Sequence, residues 1–362
     1  MKKFHHIFSG LLLFSLILVN FSCGPTGEMD GPKHTGYGQL PVSTSGIDPF
    51  FVEPTDTFSP PNNITREVLE DRNGDLWLTT WNGLIRYDSK SFTNITLTKK
   101  LKHFHFFSSM RAGNGDLWFG TIGAGVYRYD GNNFSNFSSE SGLLNNRIAC
   151  LMQDTVGNTW IGTDSGLTRY NGAGFVNYTI KNGLCDNAVH TLMQDRSGLI
   201  WIGTDNGLCR YDGRSFSSFY LKDSMRFENV RALKQDKKGN IWIGCGEGLF
   251  LYDGRSITKI TGSFTTYIFE ERSGALLLSC GDTATAPAPV PPRIGISTNT
   301  RDGMVLYRYD GKRLSKIISK MEINDNQIFG AIEDSKGMIW FGTMQGLCRY
   351  DGKSFTYFYK QM

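Results

Sequence analysis

Arginine, histidine and aromatic residues recur at one position along this chain, and together they could hold a polar ligand. Counting five residues back from each of seven turn-opening residues gives Arg66, Phe107, Ala149, His190, Arg231, Thr266 and Phe329. Arginine presents a planar fork of donors to carboxylate or sulfate, and an aromatic ring offers a face on which a sugar can stack. Trp81, in a loop, and His103 and His105, ahead of a strand, belong to the same group of candidates. His190 lies four residues after Asp186 and five after Cys185. Nucleophilic catalysis needs a positioned thiol–imidazole contact, and this spacing across a loop-to-strand junction does not define one. Neither C-x-x-C nor H-x-x-x-H spacing occurs, so no metal or other cofactor is expected.

The element that must position these residues is a repeat. Trp77, Trp118, Trp160, Trp201 and Trp242 are separated by 41, 42, 41 and 41 residues, with Leu277 and Trp340 as the sixth and seventh anchors. A strand-rich period near forty predicts an all-β, seven-bladed β-propeller of four-stranded antiparallel blades. In the fourth repeat the reading is strand A over 188–194, strand B over 200–204, strand C over 208–211 and strand D over 215–220. Asp195 and Gly198 make the A–B turn, Asp accepting backbone hydrogen bonds and Gly taking positive φ. Gly203 leaves room for the neighbouring blade. The second repeat has Ala112 for the turn Asp. The sixth has Glu271 and Leu277 plus an insertion at about 281–302, which contains Pro287, Pro289, Pro291 and Pro292 and should project.

The candidate ligand site is then the mouth of the central channel, on the face bearing the D–A and B–C loops. Its expected members are Arg66, Trp81, Phe107, His190, Arg231 and Phe329.

The N-terminus carries Lys2 and Lys3, an apolar run from Ile7 to Val19, and a small residue before Cys23. It resembles a bacterial lipoprotein signal of the Bacteroidetes type, which implies removal of residues 1–22 and a lipid on Cys23. An ordinary secretory signal cut nearby is the alternative. Either implies export to the cell envelope. The lipidated form would sit on the outer membrane, facing the periplasm or the cell surface. Residues 23–60 are rich in Gly, Pro, Ser and Thr and read as a flexible tether, with Phe50, Phe51 and Val52 as an apolar patch that could dock near the ring closure; 61–362 reads as the propeller. Removing residues 1–22 lowers the formal charge from +4 to +2, since two lysines and no acids are lost. That balance gives no footprint for nucleic acid. The cysteines shared between repeats, Cys209 with Cys348 and Cys245 with Cys280, read as small buried apolar residues, and spacing nominates no disulfide.

The runs Asp154–Phe175, Asp195–Phe216 and Asp334–Phe355 follow D-x-x-G-x-x-W-[IF]-G-T and then G-L-x-R-Y-[DN]-G-x-x-F. This resembles the two-component regulator propeller repeat. The resemblance implies an extracytoplasmic sensor region of the kind that detects glycan fragments in hybrid histidine kinases. With no kinase or transmembrane pattern after the last repeat, a membrane-tethered, non-enzymatic binder of a glycan fragment, small molecule or envelope protein is expected. A metal-dependent lyase or other glycan-active propeller enzyme is the first alternative, though only His190 among the regular blades speaks for it. A structural subunit of an envelope complex is the second. The Asp-box of sialidase propellers fits poorly, because Asp195 precedes Gly198 by three residues rather than two.

Overall fold

The computed structural model describes residues 58–102, 105–222, 225–281, 304–317 and 328–358. The leader, Cys23, the tether up to residue 57 with its Phe50–Val52 patch, His103 and the proline-rich stretch over 282–303 lie outside them.

Seven sheets follow one another, each with its strands hydrogen-bonded in chain order. The innermost strands A are Thr65–Glu70, Phe106–Arg111, Ile148–Gln153, Val189–Gln194, Ala232–Gln235, Thr265–Glu270 and Ile328–Glu333. Each packs beside strand A of the next blade, and the seventh returns to the first. They therefore ring a central channel. Strands B are buried along their whole length, because a neighbouring blade covers each face. The expected strands of the fourth blade agree with the structure to within two residues. That blade also gains a short fifth strand, Met225–Arg226, paired outside strand D.

The turn aspartate does more than expected. Asp195 Oδ1 accepts the backbone N–H groups of Ser197 and Leu199, while Oδ2 accepts the Trp201 indole N–H at 2.7 Å. Asp71, Asp154, Asp236 and Asp334 hold Trp77, Trp160, Trp242 and Trp340 in the same way. The arginine of G-L-x-R-Y then lies over the indole, as Arg210 does over Trp201 at 5.6 Å. Each anchor packs into the cluster of the following blade: Trp201 meets Phe227, Val230, Ile243 and Phe250.

Close approach between blades rests on the strand B glycine. A Cβ on Gly203 would lie 2.7 Å from Val230 Cγ1 in the next blade, and the same holds at Gly162 against Val189. Blades one and six carry buried Thr79 and Ser279 at this position.

A second repeated contact joins the blades at the A–B turns. In six of the seven blades the last residue of strand A accepts the backbone N–H that follows the previous blade's turn residue, the exception being Arg111 of blade two, which donates to Glu70 O. Gln153 serves Gly113, Gln194 serves Thr155, Gln235 serves Arg196, Glu270 serves Lys237 and Glu333 serves Arg272. Glu70 closes the ring on Ser335, taking both its backbone N–H and its hydroxyl. Blade seven is thus sealed to blade one by side chains and packing, including Trp340 and Leu347 against Val68, Leu78 and Phe92. All four of its strands come from residues 328–358.

Candidate functional site

The recurring position in strand A is a β-bulge. Pairing with strand B skips Arg66, Phe107, Ala149, His190, Thr266 and Phe329, while Arg231 stands just before its strand. A bulged residue leaves the ladder and is re-aimed, here on the innermost strand at the end where the D–A loops enter. Bulges are not visible in a repeat pattern, because the extra residue changes no spacing between blades.

The bulges bring the expected residues into two groups. In the first, Arg66 of blade one lies between the rings of Phe107 and Phe329, 4.0 and 4.3 Å from their centroids. One bulge from each of blades seven, one and two makes this stack. Burial, with Arg231 nearby, lowers the guanidinium pKa to about 10, against the pull of Glu67. It remains a cation at neutral pH.

In the second, His190 Nε2 meets Asp205 Oδ1 at 2.6 Å, and Arg231 Nη2 lies 3.5 Å from the same oxygen. Burial and then Arg231 hold the imidazole pKa below its ordinary value, against Asp205 and Asp164. A neutral ring facing a carboxylate must donate from Nε2, which leaves Nδ1 as an acceptor. Nδ1 is buried and has no hydrogen-bond partner. Next door, Arg147 Nε donates to Asp164 at 2.7 Å.

Trp81 sits apart from both groups in the B–C turn of blade one, stacked on His105 at 4.7 Å with an interplanar angle of 15°. One face of the indole is therefore used in packing. Its Nε1 is buried without a hydrogen-bond partner.

Sequence reasoning missed Glu67, Ser109, Arg147, Asp164 and Asp205. The two aspartates were detectable, because they occupy the repeat position of Trp81. Glu67 had no such signal. Its carboxylate leaves blade one and accepts the Ser109 N–H and hydroxyl of blade two. Burial first raises its pKa to about 6, although the Ser109 hydrogen bonds and Arg66 act against this. Its charge is also felt by Cys150 of blade three and Tyr267 of blade six.

The folded state therefore holds the Glu67 proton more tightly than the unfolded chain. The associated stability is full below pH about 4.5 and is lost as pH rises through about 6. Glu67→Gln keeps an oxygen for Ser109 and removes the buried charge. The net shift, which already includes the attraction to Arg66, corresponds to about 2 kcal/mol, so the variant should gain up to about 2 kcal/mol above pH 6.5. Chemical denaturation at pH 4 and pH 7.5 checks this, and a gain that is equal at both pH values contradicts it.

The cysteine reading needs one correction. Cys185 and Cys209 form a disulfide, with Cα atoms 5.8 Å apart, tying the loop before blade four to its strand C. Strand C and the preceding loop come together only in the folded blade, so spacing could not nominate the pair. Closing a loop of this size contributes about 3 kcal/mol in the chain-entropy account. It also removes the Cys185 thiol from any pairing with His190. Cys245, Cys280 and Cys348 are buried free thiols, as expected of small apolar residues. Among the described residues no three His, Cys, Asp or Glu side chains are grouped as a metal ion requires.

This fold and site define a seven-bladed β-propeller whose central channel opens between polar and aromatic side chains. Five of its blades match the model of the two component regulator propeller repeat, at residues 59–82, 142–165, 183–206, 224–247 and 322–345. The unmatched blades are the second and sixth, where Ala112 and Glu271 replace the turn Asp. No curated protein matches the chain.

Among solved structures, the chain is similar to the extracellular domain of a putative one component system from B. thetaiotaomicron. The identity is 20% and the TM-score 0.62, over 82% of this chain and 40% of that one. This chain thus spans less than half the length of that protein. A virginiamycin B lyase from Staphylococcus aureus is similar at 10% identity and TM-score 0.57, over 82% and 96% of the two chains. PorZ, a surface component of the type-IX secretion system of Porphyromonas gingivalis, is similar at 14% and 0.57, over 84% and 48%. At these identities the likeness is one of fold.

Proposed function

We propose that this protein is an extracytoplasmic, lipid-tethered propeller of the sensor type that binds a glycan fragment at the mouth of its central channel, without catalysis. The observation that carries this reading is the recurring position on strand A, where the bulges at Arg66, Phe107, His190 and Phe329, with Arg231 just before its strand, fall at one level of the channel. Pre-oriented donors and acceptors beside aromatic faces are what sugar hydroxyls and ring C–H groups require. Arg231 and Arg147 are already engaged by Asp205 and Asp164, so that side of the mouth suits hydroxyl groups better than a free anion. Export is supported by the Cys185–Cys209 disulfide, which persists in an oxidising compartment, and by the extracellular setting of the B. thetaiotaomicron relative.

An array of neutral and acidic oligosaccharides should retain the mature protein, and Arg66→Ala, Arg231→Ala and Trp81→Ala should each weaken retention. An array without hits removes the glycan. The tether is checked separately: fatty-acid labelling should appear on the wild type and vanish in Cys23→Ser. Labelling that survives the substitution would contradict the anchor.

A second reading, an envelope protein held by the propeller's outer edge, is favoured by Val176, Ile180 and Tyr220. These side chains of the third and fourth blades are 40%, 56% and 42% exposed. Affinity purification from the native envelope separates it from the first. A lyase reading would need metal-dependent turnover that is lost in His190→Ala.

A further inference from the structure

Several arginines of this propeller are paired with acids, and Arg66 in the channel is not. Arg86, Arg128 and Arg308 meet Asp75, Asp116 and Glu271, and Arg147 and Arg231 meet Asp164 and Asp205. Arg66 makes no hydrogen bond or ion pair with any described residue. Its guanidinium carbon lies over the rings of both Phe107 and Phe329. The acid beside it in sequence, Glu67, turns its carboxylate to Ser109 instead.

We propose that Arg66 is the receptor for a carboxylate group of a ligand entering the channel mouth, which deepens the binding reading above and rests on it. Rings lying against a guanidinium leave its in-plane N–H edge for a partner, and a planar carboxylate matches that edge with two parallel hydrogen bonds. The slot between two rings fits a flat group better than tetrahedral sulfate or phosphate. A dianion would also need more cations than this side of the channel supplies, since Glu67 stands close by. Desolvation makes the unpaired cation costly, and an anion would relieve that cost.

The carboxylate could belong to a uronic acid or to the C-terminus of a peptide. The test uses matched pairs by titration calorimetry: galacturonate against galactose, and an acetylated dipeptide against its amide. In at least one pair the carboxylate should bind about tenfold tighter or more. That preference should fall to near unity in Arg66→Gln and be only partly kept in Arg66→Lys, with melting curves confirming that both variants fold. A reading independent of substitution comes from phenylglyoxal modification of the wild type, mapped by mass spectrometry. Acetate should slow modification of Arg66 more than that of Arg147.

No preference in either pair, a preference that survives Arg66→Gln, equal competition by inorganic sulfate, or no protection by acetate each overturns the assignment. Neutral sugars that bind through Trp81 and Arg231 regardless of Arg66 would overturn it and leave the mouth site standing. A peptide carboxylate held by Arg66, with no sugar bound, would keep the receptor and remove the glycan.

Discussion

Trp201→Ala will lower the unfolding free energy by about 3–5 kcal/mol. The indole is 1% exposed and packs among Phe227, Val230, Ile243 and Phe250 of the next blade. Its burial alone represents roughly 4–6 kcal/mol at about 25 cal/mol/Å². Truncation also leaves Asp195 Oδ2 without its indole donor and uncovers one face of Arg210. Trp201→Phe helps to separate these effects, because it keeps an aromatic ring in the cavity while losing the N–H and part of the indole volume. It should cost about 1–2 kcal/mol. Chemical denaturation followed by intrinsic fluorescence and by circular dichroism would check both values. Equal losses in the two variants would show that the hydrogen bond, and not the packing, carries the anchor.

Gly342→Ala will act at the closure of the ring. A Cβ there would stand 2.5 Å from the carbonyl oxygen and 3.0 Å from the carbonyl carbon of Thr65. Those atoms belong to the backbone of blade one, whose Thr65 is fully buried, so no side chain can swing aside. The blades must separate or the strand must shift, and overpacking of this kind costs about 1–3 kcal/mol. The upper end is expected, because Trp340, Leu347 and the Glu70–Ser335 contact share the same interface. Gly174→Ala is the matched control. Its Cβ meets nothing within 4 Å, so its effect should be small. Hydrogen exchange should show the loss of protection concentrated in Thr65–Glu70 and Ile328–Glu333. A uniform loss across all blades would contradict a local opening.

These two positions also show why the blades were readable without coordinates. An anchor that fills the gap to the next blade, and a glycine that permits the approach, must recur wherever the same interface recurs. Spacing therefore exposes them. The Gln and Glu acceptors at the ends of strands A recur in every blade but the second, which has Arg111, and were overlooked because their partners are backbone groups. Glu67 is different. It occurs once, and its Ser109 contact joins two blades whose relative depth in the channel no repeat pattern encodes.

For the site, local sequence determined which residue types occupy the recurring position on strand A: Arg66, Phe107, His190, Arg231 and Phe329. It also determined that they share one level of the ring, since the repeat is in phase. Only the tertiary structure decided what each of them meets. A bulge re-aims Arg66, Phe107, His190 and Phe329, and the circular order then brings the first blade between the second and the seventh. That places Arg66 between two rings just over forty and more than two hundred and sixty residues away. Asp205 reaches His190 and Arg231 because a strand B that ends beside its own strand A returns its turn to the same rim. Contacts of this sort depend on ring closure, a property of seven interfaces together, and no single stretch of chain contains it.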